Sequence, residues 1–383
     1  MTPFDSPALA MRRLFHVLVL TLAVGLLWFL LESLIFRTGF YYRQLAEPFS
    51  NAGTTALNLR LARRNASTQP PTVLAFGDSR VGEGFSPAIA HDTAPELNFI
   101  NVAVPGSKPR TWYYLLREVV RKEIPFKFMV IGIVYPPMGA GDWSDWALDP
   151  AFMAPLVDLR DAREFPASFN DASMRHRAQE AIWFPSLLMQ KDIQALLAAP
   201  RERRRHLRGK RGWLTYIGNY RGRDETMPSL AFDSDRGVID WKDASAVQRT
   251  ELEQHLRVLE QSPADNTTYA RFWLGKLLKL VRDNDAQLVF YPLPRGPYPD
   301  ILPANSAPPI WLSELAQAPN VTVLPADFLI DLEAPAYFFD ALHANRAGRA
   351  ITSERVAHAI AAIMAKLTDA TEAEAEADTV STP

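Results

Sequence analysis

Cysteine is absent from all 383 residues. This excludes disulfides, thiolate zinc sites and cysteine nucleophiles, and it fits either side of a membrane. Histidine is scarce. Its seven positions (16, 91, 176, 206, 255, 343 and 358) contain no HxH or HxxxH pair, which argues against a metal site. A charge excess is missing too: the formal net charge is -2, so nothing global points to nucleic acid. No internal repeat runs through the chain. With 48% hydrophobic and 22% charged residues, the chain is long enough for one large domain with a full core plus appendages.

One long apolar run is present, Leu14 to Phe36, interrupted only by His16 and Glu32. At ~1.5 Å per residue it reaches across a ~30 Å hydrocarbon layer. Its exit, Glu32-Ser-Leu-Ile-Phe-Arg37, has no small-x-small cleavage site, so residues 14–36 read as an uncleaved signal anchor. Arg12 and Arg13 favour a cytoplasmic segment 1–13, while Arg37 and Arg43 pull the other way. Residues 37–71 read as a juxtamembrane connector with a short helix near 55–64. Trp28, Tyr41, Tyr42 and Phe49 are of the kind that collects at a membrane interface. At the other end, residues 368–383 are acidic without an apolar face, and disorder is expected there.

Between these ends the pattern alternates strand and helix, which predicts a parallel sheet covered on both faces. Strands are expected at Thr72–Phe76, Leu97–Val104, Phe128–Tyr135, Ala286–Leu293 and Val321–Leu324. Helices are expected near Arg110–Lys122, Ala270–Asp283 and Arg346–Lys366. Roughly 138–266 is too long for a loop and reads as an inserted subdomain with its own helices. It carries Trp143, Trp146, Trp183 and Trp213, suited either to a core or, with Asp142 and Asp145, to a sugar platform. Its basic run 201–211 is a solvated face, or it meets anionic lipid heads or an acidic polysaccharide.

The first strand runs into Gly77-Asp78-Ser79-Arg80. A serine on a tight turn at a strand's carboxyl end points into the crevice where open α/β sheets hold ligands. Far downstream, Asp340-Ala-Leu-His343 offers a base and an orienting carboxylate at a spacing that puts both on one side of a helical turn. Asp78 is expected to brace the turn. Arg80 is read either as a binder of an anionic acyl donor or polymer carboxylate, or as a salt-bridge partner. Gly106 is an oxyanion donor or a turn glycine, and Asn101 a loop brace or an ordinary strand residue.

Gly77-Asp78-Ser79, Asn101-x4-Gly106, the segment after strand three and Asp340-x-x-His343 follow one another in an order that resembles the SGNH (GDSL-like) hydrolase superfamily. The likeness covers about 72–137 and 286–366. It implies a flavodoxin-like three-layer α/β sandwich with a central five-stranded parallel sheet. Ser79 would be the nucleophile, His343 the general base and Asp340 the orienting carboxylate, and the backbone N–H groups of Ser79 and Gly106 would face the oxyanion; no cofactor is called for. The superfamily's Gly-x-Asn-Asp after strand three is replaced by Ile131-Gly-Ile-Val-Tyr-Pro-Pro137, which leaves Tyr135, Arg80 or another group to stand in for the asparagine. With the anchor, this looks similar to the alginate O-acetylation proteins and the D-alanyl transfer protein of teichoic acids. Such a resemblance implies a bacterial cytoplasmic-membrane protein whose catalytic domain faces the periplasm or exterior. It would act on acyl esters of an envelope polysaccharide beside a membrane-bound O-acyltransferase. A degenerate scaffold and a lipase-like ester hydrolase stand as alternatives.

Overall fold

The computed structural model describes residues 7–134, 141–233, 238–259, 265–301 and 308–380. Five strands form one all-parallel sheet: β1 (Thr72–Phe76), β2 (Asn98–Asn101), β3 (Phe128–Ile133), β4 (Gln287–Pro292) and β5 (Val321–Val323), in the order β2-β1-β3-β4-β5. β1 and β3 are buried at every position. An unbroken apolar run is what coverage on both faces requires. The chain leaves β1 for β2 on one side and returns to β3 on the other. The carboxyl ends of β1 and β3 therefore flank the point where the strand order reverses, the usual place for a ligand crevice.

In chain order the main helices are α1 (Pro7–Glu32), α2 (Asn51–Asn65), α3 (Ser79–Gly84), α4 (Pro87–Thr93), α5 (Pro109–Arg121), α6 (Ala172–Trp183), α7 (Gln190–Ala198), α8 (Pro200–Asn219), α9 (Ala246–Leu259), α10 (Thr267–Asp283) and α11 (Arg346–Val380). On one face of the sheet Val73, Ala75, Val130 and Val289 share a core with Phe85, Val356 and Ile360, so α11 closes that side. On α5, the buried Trp112, Leu115, Leu116 and Val119 recur at helical spacing, and the helix packs against α10.

The chain divides into two compact units, 1–56 with 150–207 and 57–149 with 208–383. The expected single insertion is therefore split, because residues 150–207 bond to the connector. Arg203 on α8 donates to the Leu45 carbonyl at 2.7 Å and pairs with Asp192 and Glu47. Tyr41 and Tyr42, expected at a membrane interface, are buried in this unit. It also holds α1, the one helix among the described residues long and apolar enough to cross a membrane. The end of α1 is tied down: Glu32 bonds to the Ser186 hydroxyl, and the Arg37 guanidinium donates to the Ile182 carbonyl at 3.0 Å.

A second correction concerns the carboxyl-terminal end. α11 runs on to Val380, well past Lys366 and through the acidic stretch expected to be disordered. That stretch alternates Ala and Glu, two strong helix formers, and it continues a helix already nucleated by its packing on the sheet.

Candidate active site

At the end of β1 the chain must turn sharply from strand to helix. A Cβ at Gly77 would lie 2.3 Å from Val81 Cγ2, so only glycine fits the turn. The Asp78 carboxylate caps α3 by accepting the Arg80 N–H at 2.9 Å, which leaves Ser79 as the first helical residue. Six residues are too few for a helix to hold itself together, and α3 is fixed from outside. The fully buried Arg349 of α11 donates to the Gly82 and Glu83 carbonyls at 2.9 and 2.5 Å, while the Tyr220 hydroxyl donates to the Glu83 carboxylate at 2.6 Å.

His343 Nε2 lies 2.8 Å from Ser79 Oγ. Its Nδ1 lies 2.8 and 3.1 Å from the two Asp340 oxygens. A carboxylate only accepts, so Nδ1 carries the proton and Nε2 offers its lone pair to the Ser79 O–H. Asp340 Oδ1 also accepts the backbone N–H groups of Leu342 and His343 at 2.8 and 2.7 Å. Burial disfavours the charged carboxylate, but the His343 ring and these two amides outweigh it and hold the Asp340 pKa below its ordinary value. Phe339 stacks on the imidazole with centroids 5.7 Å apart and planes 12° from parallel. The loop is fixed to α11 by Asn345, whose Oδ1 accepts the Ala347 and Gly348 N–H groups and whose Nδ2 donates to the Ala336 carbonyl.

The turn after β2 is bonded to the Gly77–Arg80 turn. The Gly77 carbonyl accepts the Val104 N–H at 3.0 Å and the Ser107 hydroxyl at 3.1 Å. Gly106 adopts φ +73° in this turn, and its carbonyl accepts the Trp146 indole N–H at 2.7 Å. Among the described residues, neither the Ser79 nor the Gly106 amide has a hydrogen-bond acceptor. Asn101, expected to be a loop brace or an ordinary strand residue, is buried and spends both polar ends on backbone. It donates to the Val81 and Phe85 carbonyls and accepts the Ala103 N–H. Its part is to brace the loop against α3. Tyr135 lies outside the described residues.

Beside the turn opens a cleft lined by Asp78, Arg80, Lys108, Trp112, Trp143 and Trp311. The segment carrying Trp143 and Trp146 is fixed from below by a buried ion pair, Arg110 to Asp149 at 3.2 Å. Arg110 also donates to the Ser144 carbonyl, and the Thr111 hydroxyl donates to Asp149. Asp142 accepts the Ser144 N–H within its own turn. Of the other insertion tryptophans, Trp183 is partly exposed in the first unit, and the Trp213 side chain lies outside the described residues.

Ser79, His343, Asp340, Gly106 and Arg80 thus come to one end of the sheet. Sequence reasoning missed Lys108, Ser107, Trp112, Asn345 and Arg349. Asn345 did carry a signal, since it stands immediately before a long helix as a capping residue type. Of the other four, Ser107 and Lys108 lie in the short turn before α5 and Trp112 and Arg349 lie within helices, and no local pattern sets any of them apart. No protein-family model matches the chain, and no curated protein matches it in sequence.

Proposed function

We propose that the protein is a membrane-anchored serine O-acyltransferase or esterase of SGNH type, built on a flavodoxin-like sheet and working outside the cytoplasm on acyl esters of a cell-envelope polysaccharide. The observation that carries this reading is the line of hydrogen bonds from Asp340 through His343 to Ser79 Oγ. A hydroxyl becomes a nucleophile when a neutral imidazole can take its proton and a carboxylate fixes the imidazole's tautomer.

In the first half-reaction Ser79 Oγ attacks the ester carbonyl while its proton passes to His343 Nε2. The carbonyl oxygen becomes an oxyanion facing the Ser79 and Gly106 amides. Collapse breaks the bond to the leaving alkoxide, which takes the proton from His343 and departs as an alcohol. The acyl group is now on Ser79. A sugar hydroxyl, or water, then gives its proton to His343 and takes the acyl group, restoring the Ser79 O–H. A cleft walled by Trp112 and Trp143 beside the nucleophile suits a sugar ring. α1 supplies the anchor, with residues 1–13 on the cytoplasmic side.

A fluorophosphonate reporter should label the full-length protein, and Ser79→Ala should abolish the labelling. Labelling of the alanine variant would remove the nucleophile assignment. The segment 131–137 at the end of β3 contains no asparagine, which favours a second reading as a non-catalytic scaffold for a polymer or an O-acyltransferase. Wild-type polymer modification in cells carrying Ser79→Ala, Asp340→Ala or His343→Ala would support the scaffold.

A further inference from the structure

Three features of the first unit meet where α1 ends. The apolar segment Met11–Arg37 has 27 residues, against about 20 that cross a hydrocarbon layer, so its last turns reach a bilayer surface. Those turns already carry protein. The Phe29 and Trp183 rings pack with centroids 6.4 Å apart, the Arg37 guanidinium donates to the Ile182 carbonyl, and Glu32 is buried against the Ser186 hydroxyl. A carboxylate at that depth is costly unless it is hydrogen-bonded. With α1 across a bilayer, residues 182–186 lie at headgroup level. The second feature is α7, which has no buried residue although Ile193, Leu196 and Leu197 fall at i, i+3 and i+4 on one side. Leu197 is 74% exposed, and Trp183 and Leu187 ahead of the helix are exposed too. Asp192 on α7 accepts from Tyr41 and Arg203, which holds the helix beside the connector. The third is charge. Arg201, Arg204 and Arg205 of α8 are exposed, with Glu202 the one acid among residues 200–206. Among the described residues none of the three arginines has an acidic partner.

We infer that the first unit docks on the bilayer surface from which α1 emerges: Trp183, Leu187 and Leu197 enter the boundary between headgroups and acyl chains, and Arg201, Arg204 and Arg205 meet anionic headgroups. A helix with a bare apolar side, followed by arginines and preceded by a tryptophan, is what an interfacial helix presents to lipid. An acidic polysaccharide would match the arginines and leave the leucines in water. The inference takes α1 as the anchor and is independent of any chemistry at Ser79. Docking removes the swing that a single anchoring helix would allow this unit.

The chain has no cysteine, so single cysteines placed in the full-length protein can each carry one nitrobenzoxadiazole fluorophore. Leu20→Cys marks α1 and Leu197→Cys the apolar side of α7; Ala195→Cys, at ~100° per residue, marks the opposite side of that helix. The proteins are reconstituted in phosphatidylcholine vesicles with and without phosphatidylglycerol, all carrying a lipid-borne nitroxide quencher. In the anionic vesicles the labels at 20 and 197 should be quenched, the latter at least about threefold more than the label at 195. Arg201→Gln/Arg204→Gln/Arg205→Gln should lower the docked-to-undocked ratio read at 197 about tenfold or more, to that of the neutral vesicles, and high salt should do the same. Urea unfolding midpoints of the variants separate a loss of docking from a loss of folding. Quenching at 20 without quenching at 197 would overturn the docking and keep the anchor; quenching at neither would remove both. Shielding of the label at 197 from aqueous iodide by soluble polygalacturonate, without lipid quenching, would assign the arginines to a polysaccharide and overturn the lipid surface.

Discussion

The Trp112 indole N–H donates to the Ser107 hydroxyl at 2.8 Å, and that hydroxyl donates onward to the Gly77 carbonyl. One side chain from α5 thus sets the distance between the turn that carries Ser79 and the turn that carries Gly106. Trp112→Phe keeps the ring and deletes the donor, which should cost about 1 kcal/mol of stability by urea unfolding. Phosphonate labelling should slow about tenfold, short of the ~10²–10³ seen when an oxyanion donor is removed outright. Labelling at the wild-type rate would show that the bond serves folding alone.

Arg349 is buried and donates to three backbone carbonyls, those of Gly82, Glu83 and Tyr220. Arg349→Met leaves these acceptors unsatisfied, at about 1–3 kcal/mol each before relaxation. The expected result is a strongly lowered unfolding midpoint together with loss of Ser79 labelling. Arg349→Lys should fail to rescue it, because a point charge cannot reproduce a planar fork with separate donors.

The Arg110–Asp149 pair is fully buried, and burial pushes the Asp149 pKa up to about 6 against the pull of Arg110. Asp149→Ala removes the carboxylate facing the buried Arg110 guanidinium and should cost about 3–5 kcal/mol. The double variant Arg110→Met/Asp149→Leu removes both charges at similar volume and should be less destabilised than Asp149→Ala alone. A strictly additive double would mean that the two charges do not act as a unit.

Asp340 has a lower pKa when folded than when unfolded, so its ionised form adds stability above the unfolded value of about 4. That contribution is lost as pH falls through the folded pKa. Asp340→Asn removes it altogether. The stability gap between wild type and this variant should therefore be flat near neutral pH and narrow as pH falls below about 4. Urea titrations at a series of pH values measure the gap, and a gap constant down to acid pH would exclude the carboxylate charge as its source.

The pieces of the site that sequence displayed are those written in local pattern. Val73–Phe76 is an apolar run broken by Gly77, and Asp340 and His343 sit three apart before a helix. β2 proved shorter than expected, Asn98–Asn101 against Leu97–Val104, because the apolar residues 102–104 are buried in a loop that Asn101 and the Gly77 carbonyl pin down. Arg349 was illegible: an arginine one turn into an amphipathic helix looks solvated until the partner carbonyls, 266 and 267 positions away, are known. Lys108 and the division of the insertion were hidden for the same reason. Both depend on which distant segments become neighbours, and periodicity carries no record of that.

Ser79 precedes His343 by 264 positions, and Gly82 precedes Arg349 by 267. A chain made amino end first therefore presents its hydroxyl long before the ribosome has released the groups that contact it and fix its helix. Any product cut short ahead of residue 340 has a serine with no base, on a helix with no support. The Ser79–His343 contact and the Arg349 support of α3 thus form only once the chain extends through residue 349.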